Sequence, residues 1–178
     1  QAPILSFTAD EIWQFMPGKR SESVQLEGWY THLFELDQDE VMNMDFWQQV
    51  LEIRSAVSKQ LENLRVDNRI GSSLDAEVSL YCNSELMQNL ARLGDELRFV
   101  MITSEARVNP LEDRPDSAIA AKLTNGDSLY IDAGASSHEK CVRCWHHRAD
   151  VGSDASHPEL CGRCVENVSG DGEPRHFA

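Results

Sequence analysis

No apolar run in the 178 residues approaches the length of a membrane span, and no signal-peptide pattern opens the chain. There is no GxxxxGK(S/T) loop, no GxGxxG, no GxSxG and no defensible Ser/His/Asp set, so no residue is assigned a catalytic role. Basic side chains are scarce. Sixteen Lys and Arg face thirty Asp and Glu, a net charge of -14. Taken alone, that balance argues against a nucleic-acid binder, because attraction to phosphate is the main sequence-independent part of such affinity. The shortage is uneven. Residues 1–70 carry six basic and twelve acidic groups, residues 71–137 five and eleven, and residues 138–178 five and seven. The last stretch is the least repulsive to a polyanion. Cysteine is scarce too, yet four of the five stand as Cys141-x2-Cys144 and Cys161-x2-Cys164, sixteen residues apart. Without a secretory signal, that pattern points to a reducing, cytoplasmic setting and a metal; two disulfides are the alternative.

Three textures follow one another. Residues 1–70 are expected to be helical. Thr8 and Glu11 form a capping-box pattern, Ile12, Trp13, Phe15 and Met16 follow, and Pro17-Gly18 stops the helix. Val24 to Leu36 is loop-like, with Trp29, Tyr30, Leu33 and Phe34 as docking points. Phe46, Val50, Ile53, Val57, Leu61 and Leu64 recur at steps of three and four, one face of a long helix stopped by Gly71. Residues 71–137 predict a small α+β unit: a strand over 76–81, a helix over 84–93 capped by Ser84, a buried strand over Phe99–Thr103, and a hairpin around Asn125-Gly126. Gly134 to Ser137 is a flexible joint. The fold class is therefore α+β, with residues 138–178 as a cysteine module.

That module has the spacing of a structural zinc site. Each Cys-x-x-Cys is a tight knuckle supplying two thiolates, and the second knuckle, with Gly162 taking its turn, closes a tetrahedron. Cys141, Cys144, Cys161 and Cys164 are the expected ligands. Four sulfurs leave no open position, so the ion is structural, and it should supply most of the module's folding free energy. Arg143 and Arg163, one inside each knuckle, either offset the thiolate charge or face phosphate. His146 and His147 are not needed as ligands. Trp145 is expected to pack across the hairpin, with base stacking as the alternative. Cys82 should be a buried apolar residue.

The tail CVRCWHHRADVGSDASHPELCGRCVENVSGDGEPRHFA, residues 141–178, closely resembles the C-terminal zinc module of bacterial isoleucyl-tRNA synthetases, whose knuckle pattern is shared with formamidopyrimidine-DNA glycosylases. LSFTADEIWQFMPG (5–18) resembles a helix of the class I anticodon-binding bundle. IGSSLDAEVSLY (70–81) and LGDELRFVMITSEARV (93–108) resemble the segment joining that bundle to the zinc module. The likeness covers essentially the whole chain. It implies a division into a helical part of the anticodon-binding bundle (1–70), an α+β junction (71–137) and a zinc module (138–178). The start at Gln1 suggests a piece of a longer protein, and the end at Phe177-Ala178 resembles the family's C-terminus.

The resemblance implies tRNA(Ile) and the remaining synthetase domains as partners, with the protein a monomer and no membrane involved. The whole enzyme would attach isoleucine with ATP. The HIGH and KMSKS signatures are absent here, so this part would hold the anticodon stem-loop. On side-chain chemistry alone, Arg143, Trp145, Arg148, Arg163 and Arg175 are the candidate RNA contacts, because arginine grips phosphate or stacks and aromatic rings stack on splayed bases. Two rivals stand: a structural zinc clamp touching no nucleic acid, and a DNA-binding finger of a glycosylase-like protein.

Overall fold

The computed structural model describes residues 2–33, 35, 36 and 40–177. It divides into two compact units, residues 1–37 and 38–178. In the first, helix α1 spans Ser6–Phe15. Its start differs from the expected capping box: Thr8 lies inside the helix, and Leu5 is the N-cap without a side-chain cap bond. A turn through 2–5 brings the chain into the helix early, and the Ala9 N–H donates to Leu5 O at 2.8 Å. The stop at Pro17-Gly18 is as expected, with Met16 already extended. The loop folds back on α1: Trp13 Nε1 donates to Ser21 O at 3.1 Å, and Asp10 Oδ1 accepts from Ser23 Oγ and the Val24 N–H. Phe7, Phe15, Trp29, Tyr30 and Leu33 are exposed, and Phe34 lies outside the described residues.

The second unit is α+β. Helix α2 spans Met44–Val66, and Asn43 caps it by accepting the Phe46 N–H at 3.0 Å. The six periodic residues named from the sequence are the ones it buries. The helix ends earlier than Gly71. Asn68, at φ 57°, takes the left-handed position, and the Arg69 N–H reaches back to Leu64 O at 2.9 Å. Asparagine tolerates that conformation, so no glycine is required.

Four strands form a mixed sheet in the order β2-β1-β4-β3. Strand β1 (Ala76–Cys82) lies at its centre, antiparallel to β4 (Ser128–Ala135), with Leu80 opposite Ile131. Strand β3 (Ile119–Lys122) forms the expected hairpin with β4, and Gly126 supplies the positive φ of its turn. Strand β2 (Glu105–Pro110) runs parallel to β1. The crossover between them contains α3 (Ser84–Ala91) and α4 (Leu97–Met101). Asn83, not Ser84, caps α3, accepting the Leu86 N–H at 2.9 Å.

The segment expected as a buried strand, Phe99–Thr103, is largely α4 and its exit. Leu93, Leu97 and Met101 are four apart and all enter the core, which is a helical period, and Ile102 at φ 57° ends the helix. A short apolar run does not by itself distinguish the two structures. The joint at 134–137 is also tied down. Strand β4 runs to Ala135, the Ser136 N–H donates to Asp75 O at 2.8 Å, and Ser136 Oγ donates to Glu77 Oε1 at 2.7 Å. One apolar core joins α2, α3 and α4 to Val78, Leu80 and Cys82 of β1 and Leu129 and Ile131 of β4. Cys82 is buried there, and burial pushes its thiol up to about 11.

Candidate metal centre

The chain leaves β4 and makes a narrow hairpin. Lys140 bridges His147, the Cys141 N–H donates to His146 O at 2.9 Å, and the Arg148 N–H donates to Glu139 O at 3.0 Å. The first knuckle is the tip of this hairpin. It closes through the Trp145 N–H, which donates to Cys141 O at 2.9 Å, with Trp145 itself at φ 66°. The second knuckle is the N-terminus of helix α5 (Gly162–Ser169), with Cys161 at its N-cap. Gly162 does not serve a left-handed turn, and the atom nearest to it is the end of the exposed Asp150 side chain. A Cβ there would lie 2.9 Å from Asp150 Oδ2, the atom that accepts the Gly162 N–H at 3.0 Å.

These two pieces bring the four sulfurs within 4.8 Å of one another. Cys141, Cys161 and Cys164 are buried and Cys144 is half-buried. All five cysteines are unpaired, and Cys144 Sγ stands 3.7 Å from Cys161 Sγ. A disulfide is about 2 Å long. A tetrahedron of sulfurs each about 2.3 Å from zinc has edges of about 3.8 Å. The cluster therefore fits one structural zinc, and His146 and His147 stand outside it: His146 Nδ1 is 3.2 Å from Cys144 O, and His147 Nδ1 is 2.7 Å from His138 O.

Without an ion, the thiols differ. Burial would raise Cys144, but hydrogen bonds from His146 and from Arg163 bring it down to about 5. Burial pushes Cys161 and Cys164 up, and the neighbouring Cys144 thiolate adds to it. Four clustered sulfurs that cannot all ionise side by side are a donor set suited to a dication, which relieves that repulsion.

The structure separates the five candidate RNA contacts. Arg143 and Trp145 are exposed on the first knuckle, with Arg143 Nη1 3.6 Å from Cys164 Sγ. Trp145 does not pack across the hairpin: the residue is 61% exposed, with Lys140 Nζ 5.8 Å from the centre of its ring. The left-handed backbone at the knuckle turns this side chain away from the hairpin, a feature the sequence carries no glycine to announce. The other three are engaged inside the unit. Arg148 pairs with Glu105 at 2.6 Å and Asp95 at 3.8 Å. Arg163 pairs with Glu173 at 2.7 Å. Arg175 contacts Glu173 at 3.2 Å and covers the Phe99 ring at 4.2 Å.

Residues that sequence reasoning did not single out complete this seam. Ser104 accepts the His147 N–H at 2.6 Å, and Glu96 accepts the N–H groups of His176 and Phe177 at 2.8 and 2.6 Å. Phe99 receives His146 edge-on. No local motif marks these long-range partners.

Two domain models match. Residues 1–80 match the anticodon-binding domain of tRNA ligase, and residues 139–167 match the zinc finger found in FPG and IleRS. Over 177 residues, 99% of the chain, the sequence is 57% identical to an isoleucine–tRNA ligase of Alkalilimnicola ehrlichii and 56% identical to that of Thioalkalivibrio sulfidiphilus. It is 50% identical to that of Pseudomonas aeruginosa. The chain spans 19%, 19% and 18% of these relatives, about a fifth of their length. The chain is thus similar to the anticodon-binding domain of tRNA ligase over residues 1–80, to the zinc finger found in FPG and IleRS over residues 139–167, and to isoleucine–tRNA ligases along 99% of its length.

Proposed function

We propose that this chain is the C-terminal part of an isoleucine–tRNA ligase and holds the anticodon stem-loop of tRNA(Ile), while domains outside it attach isoleucine with ATP. In this reading residues 1–70 belong to the anticodon-binding bundle, 71–137 form a junction and 138–178 are the zinc module. Cys141, Cys144, Cys161 and Cys164 hold the ion. It fixes the first knuckle so that Arg143 and Trp145 face the RNA, Arg143 toward phosphate and Trp145 toward an unstacked loop base. The enzyme works in the cytoplasm as a monomer.

The observation that supports this most is Trp145. A bulky residue at φ 66° is an outlier, and its cost is compensated by the metal knuckle around it. The result is an exposed indole flanked by Lys140 and Arg143, as a stacking platform requires. Arg148, Arg163 and Arg175, held in ion pairs, serve the seam between module and junction. That seam supports the second reading, a zinc clamp that touches no nucleic acid.

The experiment is a titration of the zinc-loaded chain, and of its Trp145→Ala variant, with tRNA(Ile), an unrelated tRNA and a DNA duplex. Selective binding of tRNA(Ile), weakened in the variant, is expected. Equal binding of duplex DNA, or none of any ligand with one zinc bound, overturns the proposal.

A further inference from the structure

Helix α4 sends Leu97 and Met101 into the apolar core. Phe99, two residues on from Leu97, lies on the other side of that helix, half-buried, and joins neither apolar core. Its ring is surrounded by nitrogen instead. The guanidinium carbon of Arg98 lies 4.1 Å from the ring centre, that of Arg175 4.2 Å and that of Arg163 5.0 Å. His146 meets the ring edge-on, with 5.6 Å between the centres. These groups come from different elements: α4 itself, the segment after α5, α5 and the first knuckle. An acid holds each cation in place. Arg98 pairs with Asp95 at 2.8 Å, and Arg163 and Arg175 share Glu173 at 2.7 and 3.2 Å. Arg98 is 3% exposed, and its Nη1, Arg163 Nε and His146 Nε2 are buried without a hydrogen-bond partner. Buried polar atoms in that state are costly. The negative face of an aromatic ring offsets part of that cost for a cation, whereas an aliphatic side chain would fill the same space and attract none of them.

We propose that Phe99 is a positioning residue: its ring seats the zinc module on the junction and so fixes the direction in which the first knuckle turns Trp145. The link is short. His146 follows Trp145 directly, and its ring lies against Phe99, while the next N–H, that of His147, donates to Ser104 Oγ at 2.6 Å. The chain leaving Trp145 is thereby anchored to the junction at two successive residues. The segment after α5 is anchored to the same helix region, with Arg175 on the ring and the N–H groups of His176 and Phe177 on Glu96. A knuckle fixed by zinc but not seated would carry its indole in no set direction. The proposal rests on the RNA reading given above for what Trp145 meets; the seat itself stands on the contacts around Phe99.

The test is hydrogen exchange of the zinc-loaded 178-residue chain, resolved by NMR, with a tRNA(Ile) titration beside it. The amides of His147, His176 and Phe177 bond across the seam and report its opening. The Cys141 amide, bonded to His146 O, reports the knuckle, and the amides of β1 report the core. Phe99→Leu keeps apolar bulk and loses the π face. Its seam amides should exchange about 5- to 30-fold faster, the loss of a desolvated cation–π contact, while the knuckle and core amides and the zinc content stay unchanged. Phe99→Tyr keeps the π face and should exchange as the unaltered chain does, a rescue that bulk alone does not require. Affinity for tRNA(Ile) should fall in Phe99→Leu by the fraction of modules that leave the seat. Arg175→Met takes one guanidinium from the exposed side of the ring, so, read at His147, it decides the matter should Phe99→Leu not fold. Seam amides unchanged in Phe99→Leu, or in Arg175→Met where Phe99→Leu does not fold, overturn the proposal, as does Phe99→Tyr exchanging as fast as Phe99→Leu. The expected exchange pattern in a chain that binds no tRNA(Ile) supports the seat and overturns the RNA reading beneath it.

Discussion

Trp145 and the four cysteines answer to the same constraint at the residue scale. The knuckle needs a left-handed residue after its second cysteine, and the chain places tryptophan there. A non-glycine residue in that conformation costs about 1–2 kcal/mol. The Trp145→Gly variant should therefore gain about 1 kcal/mol of stability in thermal unfolding, as little indole burial is lost. The same variant should bind tRNA(Ile) about 5- to 150-fold more weakly, since a base stacked on an aromatic ring contributes about 1–3 kcal/mol. A gain in stability with unchanged tRNA affinity would show that the ring is not a platform. The cysteines behave oppositely. Cys161→Ser removes one corner of the tetrahedron, and because metal binding and folding of such a module are one equilibrium, zinc content should fall from one per chain to near none. Atomic absorption of the purified variant measures it; a retained equivalent of zinc would remove Cys161 from the ligand set.

Helix α2 and the seam between junction and zinc module are the elements on which the rest depends. Ile53, fully buried on the inner face of α2, reaches the core shared with β1 and β4. Ile53→Ala should cost about 2–5 kcal/mol in denaturant unfolding; a cost under about 1 kcal/mol would place that face outside the core. At the seam, acids of the junction meet bases of the module. Asp75 lies 3.5 Å from His147 and 3.9 Å from Lys140, and Glu77 lies 3.6 Å from His138, with Arg107 of the neighbouring strand β2 also 2.8 Å from it. Burial would raise both carboxyls, but for Asp75 the N–H groups of Ser72 and Gly71, and for Glu77 the Ser136 hydroxyl and Arg107, bring them below their ordinary values. A carboxyl lowered in the folded state stabilises above its unfolded pKa and loses that contribution as pH falls through the folded one. The seam should therefore weaken as pH drops below about 4, and Glu77→Gln should flatten the fall of melting temperature between pH 5 and pH 3. The sequence showed the parts of this arrangement that have a period. The α2 face, the alternation of β1 and the Asn125-Gly126 turn were all legible. Strand β2 was not, because Glu105–Pro110 is a polar edge strand with only Ala106 and Val108 turned to the core. Nor was the α4 segment, where a five-residue apolar run fits either period. The four-sulfur cluster was legible from spacing alone, whereas the partners of Arg148 were not, because an ion pair 43 residues apart, as between Arg148 and Glu105, leaves no local pattern.

A net charge of -14 and the proposed RNA ligand conflict at the scale of the whole molecule, and the distribution of the few cations decides how the conflict is resolved. Residues 138–178 hold one lysine and four arginines. Three of those arginines are spent on Glu105, Asp95, Glu173 and the Phe99 ring, which leaves on the exposed knuckle near Trp145 only Arg143, 3.6 Å from Cys164 Sγ, and Lys140, in a loose 3.9 Å pair with Asp75. Two phosphate contacts on a single-stranded loop release few counterions. The logarithm of tRNA affinity should then fall with the logarithm of salt at a slope of about -1.4, a loss of about 7-fold between 50 and 200 mM. A protein that binds through six to ten phosphates would lose about 10³- to 10⁵-fold over that range. Under the proposed function, specificity would accordingly come from stacking and shape at the zinc knuckle, with long-range attraction contributing little. Binding isotherms across that salt range test the point directly. A slope steeper than about -4 would mean that many more cations reach the RNA than the knuckle presents, and that the arginines of the seam leave their carboxylates to do so.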